Sequence, residues 1–255
     1  MGTILVTGAT GTLGRPLVAR LLADGAAVRA MSRRPRPAGD DRACDWAVAE
    51  LASGAGLADA VADVETIVHC ATNLRDDTAA TRRLVAAARA GAPHLVYISI
   101  VGVDRVPYFY YRGKLAAEQL IEASGLPFTI LRTTQFHDLL ARVTLAQRWL
   151  PAVLSPAGVR FQPIDVTEVA ARLAVLAQNA PAGRVADMGG PQVRDAAAFA
   201  RATLAAVGRR RPVVPVRLPG AAFRAFRDGG HLAPDQAVGT VTFERYLARR
   251  QENSS

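Results

Sequence analysis

A tyrosine and a lysine stand four residues apart, Tyr110 and Lys114, in the stretch PYFYYRGKLAAEQ that runs from Pro107 to Gln119. On a helix that spacing places both side chains on one face. A phenol titrates at about 10 when unperturbed, and a neighbouring ammonium favours its ionised form, so the pair has the makings of an acid–base couple. Composition isolates the lysine further. Of the 31 Lys plus Arg residues, Lys114 alone is lysine. A bias that replaces lysine by arginine elsewhere has spared this one, and an ammonium on a flexible stem shifts its pKa in ways a guanidinium does not.

A second cluster lies near the start of the chain, where Gly8, Gly11 and Gly14 punctuate VTGATGTLGRPL. Glycine permits a tight turn and close approach of backbone to a pyrophosphate, and the N-terminus of a following helix offers amides and positive dipole to the phosphates. A dinucleotide is therefore the expected ligand, held by Gly8, Thr10, Gly11, Thr12, Leu13 and Gly14. The end of the second strand would choose between cofactors. A site for NAD(H) uses an acid there for the ribose hydroxyls. The chain instead reads VRAMSRR, so Ser32, Arg33 and Arg34 are expected to take a 2′-phosphate, with Arg15 assisting, and NADP(H) is favoured over NAD(H).

These residues need a scaffold, and the patterning supplies one. Strands are expected at Thr3–Thr7, Ala27–Ser32, Ala43–Val48, Thr66–Cys70, His94–Ser99 and Phe128–Leu131, with helices at Leu13–Ala23, Asp77–Ala90 and from Pro107 to the Gly125–Pro127 break. Strands joined by helices of that length give right-handed crossovers and a parallel sheet. The fold class is thus α/β, a Rossmann-type doubly wound parallel sheet with a small C-terminal subregion covering the substrate. Beyond Arg132 we expect helices at Thr134–Leu150, Val166–Asn179 and Ala196–Val207, a loop to Phe161, strands at Arg184–Met188 and Val213–Val216, and a loose polar tail at Arg250–Ser255. Asp165 reads as a helix cap. The whole is expected to form a single domain over 1–255, its core spanning about 1–132 and covering segments spanning about 133–165 and 190–250.

Composition narrows the function classes. Half of the 255 residues are hydrophobic, which suits a substantial core and argues against long disorder. No apolar run approaches the length of a membrane span, and a strand starting at Thr3 leaves no room for a signal peptide. Cys44 and Cys70 form no metal-ligand pattern, so no metal is expected, and two free thiols suit a cytoplasmic location. The net charge of +9 comes from scattered arginines without any nucleic-acid-binding motif, so a small-molecule substrate is expected rather than nucleic acid. A homo-oligomer is compatible with this composition.

Taken as a set, TGATGTLG, SRR, VETIVHCAT, LVYISIVGVD, YYRGK and SGLPFTILR resemble the atypical short-chain dehydrogenase/reductases, the NmrA-like NAD(P)H-binding family in particular. The resemblance covers roughly residues 1–190. It implies that Glu50 and Leu51 lie near the adenine, that Cys70, Ala71 and Thr72 approach the cofactor, and that Thr133, Thr134, Gln135 and Phe136 face nicotinamide and substrate, with His137 beside them. It also implies that Tyr110 donates a proton as hydride arrives while Lys114 binds the nicotinamide ribose. In that family a serine commonly orients the substrate oxygen. Here Ile100 occupies the aligned position, leaving Ser99 as the nearby hydroxyl. The expected activity is NADPH-dependent reduction of a carbonyl, quinone or related small organic compound. The alternatives are a non-catalytic NADP(H) sensor and a redox-neutral epimerase or dehydratase.

Overall fold

The computed structural model describes residues 2–72 and 77–252. Its first half alternates strand and helix: β1 (Thr3–Thr7), α1 (Gly14–Ala23), β2 (Val28–Ser32), β3 (Asp45–Val48), α2 (Leu57–Val61), β4 (Val64–His69), α3 (Asp77–Ala88), β5 (His94–Ile100), α4 (Phe109–Glu122) and β6 (Phe128–Thr133). Then follow α5 (His137–Ala146), β7 (Val153–Pro156), β8 (Arg160–Phe161), α6 (Val166–Ala177), β9 (Gly183–Arg184), β10 (Arg194–Asp195), α7 (Ala196–Ala206), β11 (Val213–Val216), α8 (Ala221–Arg227) and α9 (Phe243–Glu252). The chain divides into two compact units. The first comprises Met1–Ser99, Arg112–Leu131 and Val169–Val185, the second Ile100–Tyr111, Arg132–Glu168 and Ala186–Ser255.

The first unit is built on a seven-stranded sheet in the order β3-β2-β1-β4-β5-β6-β9. The described registers, β1 with β2 and β4, β2 with β3, β4 with β5 and β6 with β9, are all parallel. Strand order reverses between β1 and β4, the switch point at whose carboxyl-end crevice open α/β sheets bind ligands. This is the doubly wound Rossmann-type fold that the alternation dictates. Its strands carry apolar residues on both faces because helices cover both. One core unites Leu5, Ile67 and Leu95 of the strands with Leu84 and Val85 of α3 and Ala117 and Ile121 of α4.

The second unit holds two small sheets, an antiparallel β10–β8 pair and a parallel β11–β7 pair. Helix α7 packs against α5, α9, β7 and β11. Its core joins Leu140 and Ala141 to Phe199, Val241, Phe243, Tyr246 and Leu247.

Several boundaries differ from expectation for identifiable reasons. Helix α5 begins at His137 rather than Thr134 because the backbone ahead of it is already engaged: Thr134 N–H donates to the Met188 carbonyl and the Gln135 carbonyl accepts from Ile164 N–H, both at 2.9 Å. It stops at Ala146, where Arg211 gathers the following carbonyls, donating to Gln147 (2.8 Å), Leu150 and Ala152 (3.3 Å). The expected loop to Phe161 contains β7 and β8. The strand expected over Arg184–Met188 reduces to β9 and a single bridge from Met188 to Thr133. Arg250–Glu252 is the last turn of α9 rather than loose tail; Asn253–Ser255 lies outside the described residues. Asp165 does cap α6, its carboxylate accepting from Thr167 N–H at 2.8 Å. Among the described residues no helix is long and apolar enough to cross a membrane, and no group of three or more His, Cys, Asp or Glu is placed to hold a metal ion.

Candidate functional site

In the first unit, β1 delivers the chain into the glycine turn. Gly8 has φ +66°, and a Cβ there would lie 2.9 Å from the Ala71 backbone. At Gly14 a Cβ would lie 2.1 Å from the Gly8 carbonyl oxygen. Both glycines are therefore demanded by the turn itself. Gly11 differs: within 4 Å a Cβ would meet the Gly8 oxygen alone, at 3.1 Å, so its outer side is a bare backbone surface. Thr12 is exposed beside it, Thr10 half-buried and Leu13 buried. Arg15 Nε donates to the Thr10 carbonyl at 2.8 Å and fastens the loop. Helix α1 starts with neither a side-chain cap nor an acid in its first turn. Its positive end is therefore not neutralised locally, and a diphosphate fits this cradle in shape and charge.

The neighbouring strand ends arrange the rest. After β2, the Ser32 hydroxyl accepts from Arg34 N–H at 3.2 Å, and the Arg34 carbonyl accepts from Trp46 Nε1 at 3.0 Å. This fixes the backbone while the side chains of Arg33 and Arg34 stay exposed. By contrast Arg29 donates to the Ala60 and Ala62 carbonyls (3.1 and 2.7 Å) and holds the end of α2. After β3, Glu50 is half-buried and accepts from the Ser53 hydroxyl at 3.2 Å, while Leu51 packs on the main core. After β4, Ala71 N–H donates to the Thr7 hydroxyl at 3.1 Å, which places the Ala71 backbone against Gly8. The half-buried Cys70 thiol is pushed up to about 12 by desolvation, so it favours the neutral thiol. Thr72 ends the described part of that turn.

Lys114 lies inside the first unit. Its Nζ is 3.2 Å from Asp77 Oδ2 and donates to the Ile98 carbonyl at 3.2 Å, with the side chains 4% and 2% exposed. The same carboxylate oxygen accepts from the Tyr97 hydroxyl at 3.0 Å, and the ammonium sits 4.6 Å from the Tyr97 ring centroid. A lysine, a carboxylate and a phenol thus share one buried cluster at the start of α3, in which the positive charge is neutralised at close range. Ser99 is also buried, and its hydroxyl has no hydrogen-bond partner among the described residues.

His69 completes the cluster's wall. Its Nδ1 is 2.8 Å from the Thr7 hydroxyl and its Nε2 3.3 Å from that of Thr81. Burial, the largest cause, lowers its pKa to about 4, with the Asp77 carboxylate opposing and the Lys114 ammonium assisting. The unfolded chain therefore takes up a proton near pH 6.5 that the native ring refuses until pH approaches 4. Stability is complete above that upper value and falls as pH drops through the window, by up to about 3 kcal/mol. Chemical denaturation at stepwise lower pH, compared between wild type and His69→Gln, should show a larger loss in the wild type, the variant keeping the part due to His94, His137 and His231, whose pKa values burial also lowers.

In the second unit the segment after β6 is threaded through its own hydrogen bonds. The Thr133 carbonyl accepts from Val101 N–H (3.0 Å), and the Thr134 hydroxyl accepts from Gly190 N–H (3.2 Å). Gln135 Nε2 donates to the Tyr111 hydroxyl at 2.9 Å, while its buried Oε1 has no partner among the described residues. Phe136 is half-buried and bridges to Ile164. His137 is enclosed, donating through Nε2 to the Val241 carbonyl at 2.9 Å and stacking on Tyr246. Tyr110 is half-buried near the start of α4, whereas the adjacent Tyr111 is buried and forms edge contacts with Tyr108 and Phe226.

The residues expected at the cofactor lie in the first unit, as do Lys114 and Ser99, and those expected at the substrate lie in the second. Tyr110 and Lys114 share α4, with the unit boundary passing between Tyr111 and Arg112. Sequence reading missed Asp77, Tyr97 and the Tyr111–Gln135 pair. A signal for Asp77 existed, since a lone lysine in an apolar helix face requires a buried counter-charge.

A family model described as NAD(P)H-binding matches residues 8–174. A (4-alkanoyl-5-oxo-2,5-dihydrofuran-3-yl)methyl phosphate reductase of Streptomyces griseus is 34% identical over 203 residues, covering 74% of this chain and 68% of that protein. A chloroplastic divinyl chlorophyllide a 8-vinyl-reductase of Zea mays is 30% identical over 220 residues, covering 74% of this chain and 55% of its own length. Among solved structures, an Escherichia coli NADPH-dependent quinone oxidoreductase complexed with NADPH superposes with a TM-score of 0.83 at 18% identity, over 97% of this chain and 99% of that one. At that identity the likeness establishes the fold.

Proposed function

The chain belongs to the atypical short-chain dehydrogenase/reductases, an NAD(P)H-binding family of reductases, and from that premise we propose that it uses NADPH to reduce a carbonyl, quinone or related small organic compound. The observation that carries the reading is the Gly8–Gly14 cradle opening onto the uncapped, acid-free start of α1. The preference for NADPH is supported by the missing acid at the end of β2 and by the exposed Arg33 and Arg34 side chains on a fixed backbone. When bound, the cofactor supplies a hydride from its nicotinamide. The chain's own part is to hold the dinucleotide and to provide a proton. Tyr110 acts as the acid toward the substrate oxygen and is reprotonated from water. Lys114, already neutralised by Asp77, serves as a fixed donor at the ribose. The relatives named as reductases of a dihydrofuranone phosphate and of a vinyl group support a conjugated substrate.

A second reading, a sensor that binds NADP(H) without turnover, draws on one observation: Ser99 is buried and isoleucine stands at position 100. One assay separates them. Purified protein is mixed with NADPH or NADH and a panel of quinones and ketones, alongside Tyr110→Phe and Arg33→Ala/Arg34→Ala. We expect oxidation of NADPH, a fall of at least about 100-fold in kcat for Tyr110→Phe, and in the double variant a loss confined to NADPH. Unchanged turnover by Tyr110→Phe removes the acid assignment. Equal use of NADH by the wild type removes the cofactor preference. Tight binding with no turnover on any compound favours the sensor.

A further inference from the structure

Two stretches of the second unit share a peculiarity of charge. Residues 139–164 contain three arginines and no Asp or Glu; residues 196–227 contain seven arginines and, again, no acid. The chain has 22 acidic residues elsewhere, so this region lacks negative charge as well as gathering positive. The fold packs the two stretches together, α7 against α5, β7 and β11, and β7 alongside β11. What is scattered in sequence becomes one arginine-rich body whose acids lie only at its borders, Asp138 at the start of α5, Asp195 before α7, and Glu244 and Glu252 on the adjoining α9.

The same body exposes apolar side chains. Leu139 and Val143, one turn apart, lie on the outer side of α5; Trp149 and Leu150 follow its end. Leu154 and Val214 are register partners across β7 and β11, and both are exposed. Trp149 is 83% exposed, a rare state for an indole, and the Arg148 guanidinium lies 5.0 Å from its ring centroid. The backbone between α5 and β7 is tied down. The Gln147 amide bonds both the N–H and the carbonyl of Leu154, at 2.9 and 3.2 Å. Arg211 ties the carbonyls of Gln147, Leu150 and Ala152 to the segment that enters β11.

Each class of partner makes a distinct demand. A second copy docked about a two-fold axis would set arginines against arginines with no acid between them. A nucleic acid would use the guanidiniums but leave the exposed leucines and valines idle. An indole with aliphatic neighbours and the Arg148 guanidinium over its ring, in a region whose other arginines have long stems, fits the boundary between lipid headgroups and acyl chains. Anionic headgroups supply the missing negative charge. We propose that this face of the second unit docks reversibly on an anionic phospholipid bilayer, with Val143, Trp149 and Leu150 in the headgroup boundary and Arg142, Arg148, Arg209 and Arg210 on the phosphates.

The test uses the full chain with vesicles of phosphatidylglycerol and phosphatidylcholine, and with phosphatidylcholine alone. Co-sedimentation is expected with the anionic vesicles only, and it should be lost at high salt. Trp149→Ser/Leu150→Ser should weaken it at least about tenfold by removing the apolar contact, while circular dichroism verifies the fold. The chain has 2 Trp, so Trp46→Phe leaves Trp149 as the reporter, and its emission should shift to the blue on anionic vesicles. The proposal is overturned by failure to sediment with anionic vesicles at low salt. It is equally overturned if the double variant binds like the wild type. Binding to polyglutamate without binding to vesicles would identify an acidic protein surface instead, and would also overturn it.

Discussion

Replacing Asp77 by asparagine is expected to destabilise the protein by about 3–5 kcal/mol, the cost typical of removing one partner of a buried ion pair. The Asp77 and Lys114 side chains are 2% and 4% exposed, so water does little to replace the lost charge, and the Tyr97 hydroxyl loses a charged acceptor at the same time. The exposed pairs of this chain, such as Arg20 with Asp24, should each be worth about 1 kcal/mol or less. Urea denaturation of Asp77→Asn, Lys114→Met and the double variant closes the cycle. The double variant should recover much of the single-variant loss, since an apolar replacement leaves no charge unpaired. A single-variant loss below about 1 kcal/mol would show that Asp77 does not carry the Lys114 charge.

Gly14→Ala should weaken NADPH binding by about 10- to 100-fold. An added Cβ would meet the Gly8 carbonyl oxygen at 2.1 Å and the Ala9 Cα at 2.8 Å. Both obstacles are backbone, so the clash is relieved only by moving the turn away from α1, and overpacking of this kind costs about 1–3 kcal/mol or more. Gly11→Ala supplies the contrast: its Cβ meets one oxygen at 3.1 Å, which leaves the turn in place and obstructs only the ligand-facing surface. Calorimetric titration with NADPH, with thermal unfolding as a control for folding, reads both. Wild-type affinity in Gly14→Ala would remove the cradle from the account.

The first unit was largely legible because its information is local. Short β-branched runs bounded by glycine and proline place β1 to β6 within two residues of their observed ends, and the glycine turn announces its own geometry. The second unit was not, because side chains distant in sequence replace regular ladders there. Gln162 is fully buried, donating to the Gly190 and Ala233 carbonyls (2.9 and 3.1 Å). Gln147 and Arg211 stitch β7 to its surroundings, and no periodicity announces such bonds. The same limit applies to single residues. Lys114 stood out by composition, but its partner on α3 looks like any acid at a helix start. Arg29 looked like one arginine among many, yet it closes the end of α2.

A chain whose one lysine side chain is buried also has an unusual reactivity toward reagents that seek amines. In the native fold an acylating reagent finds no exposed lysine among the described residues, because the Lys114 side chain is 4% exposed. With NADPH saturating the crevice from which Lys114 would meet the ribose, acylation of Lys114 requires the first unit to open, and its rate reports that opening at a single, chemically unique position. Mass spectrometry of the modified protein would turn the arginine bias into a clock for local unfolding. It would read the stability of the ion-paired cluster separately from that of the second unit.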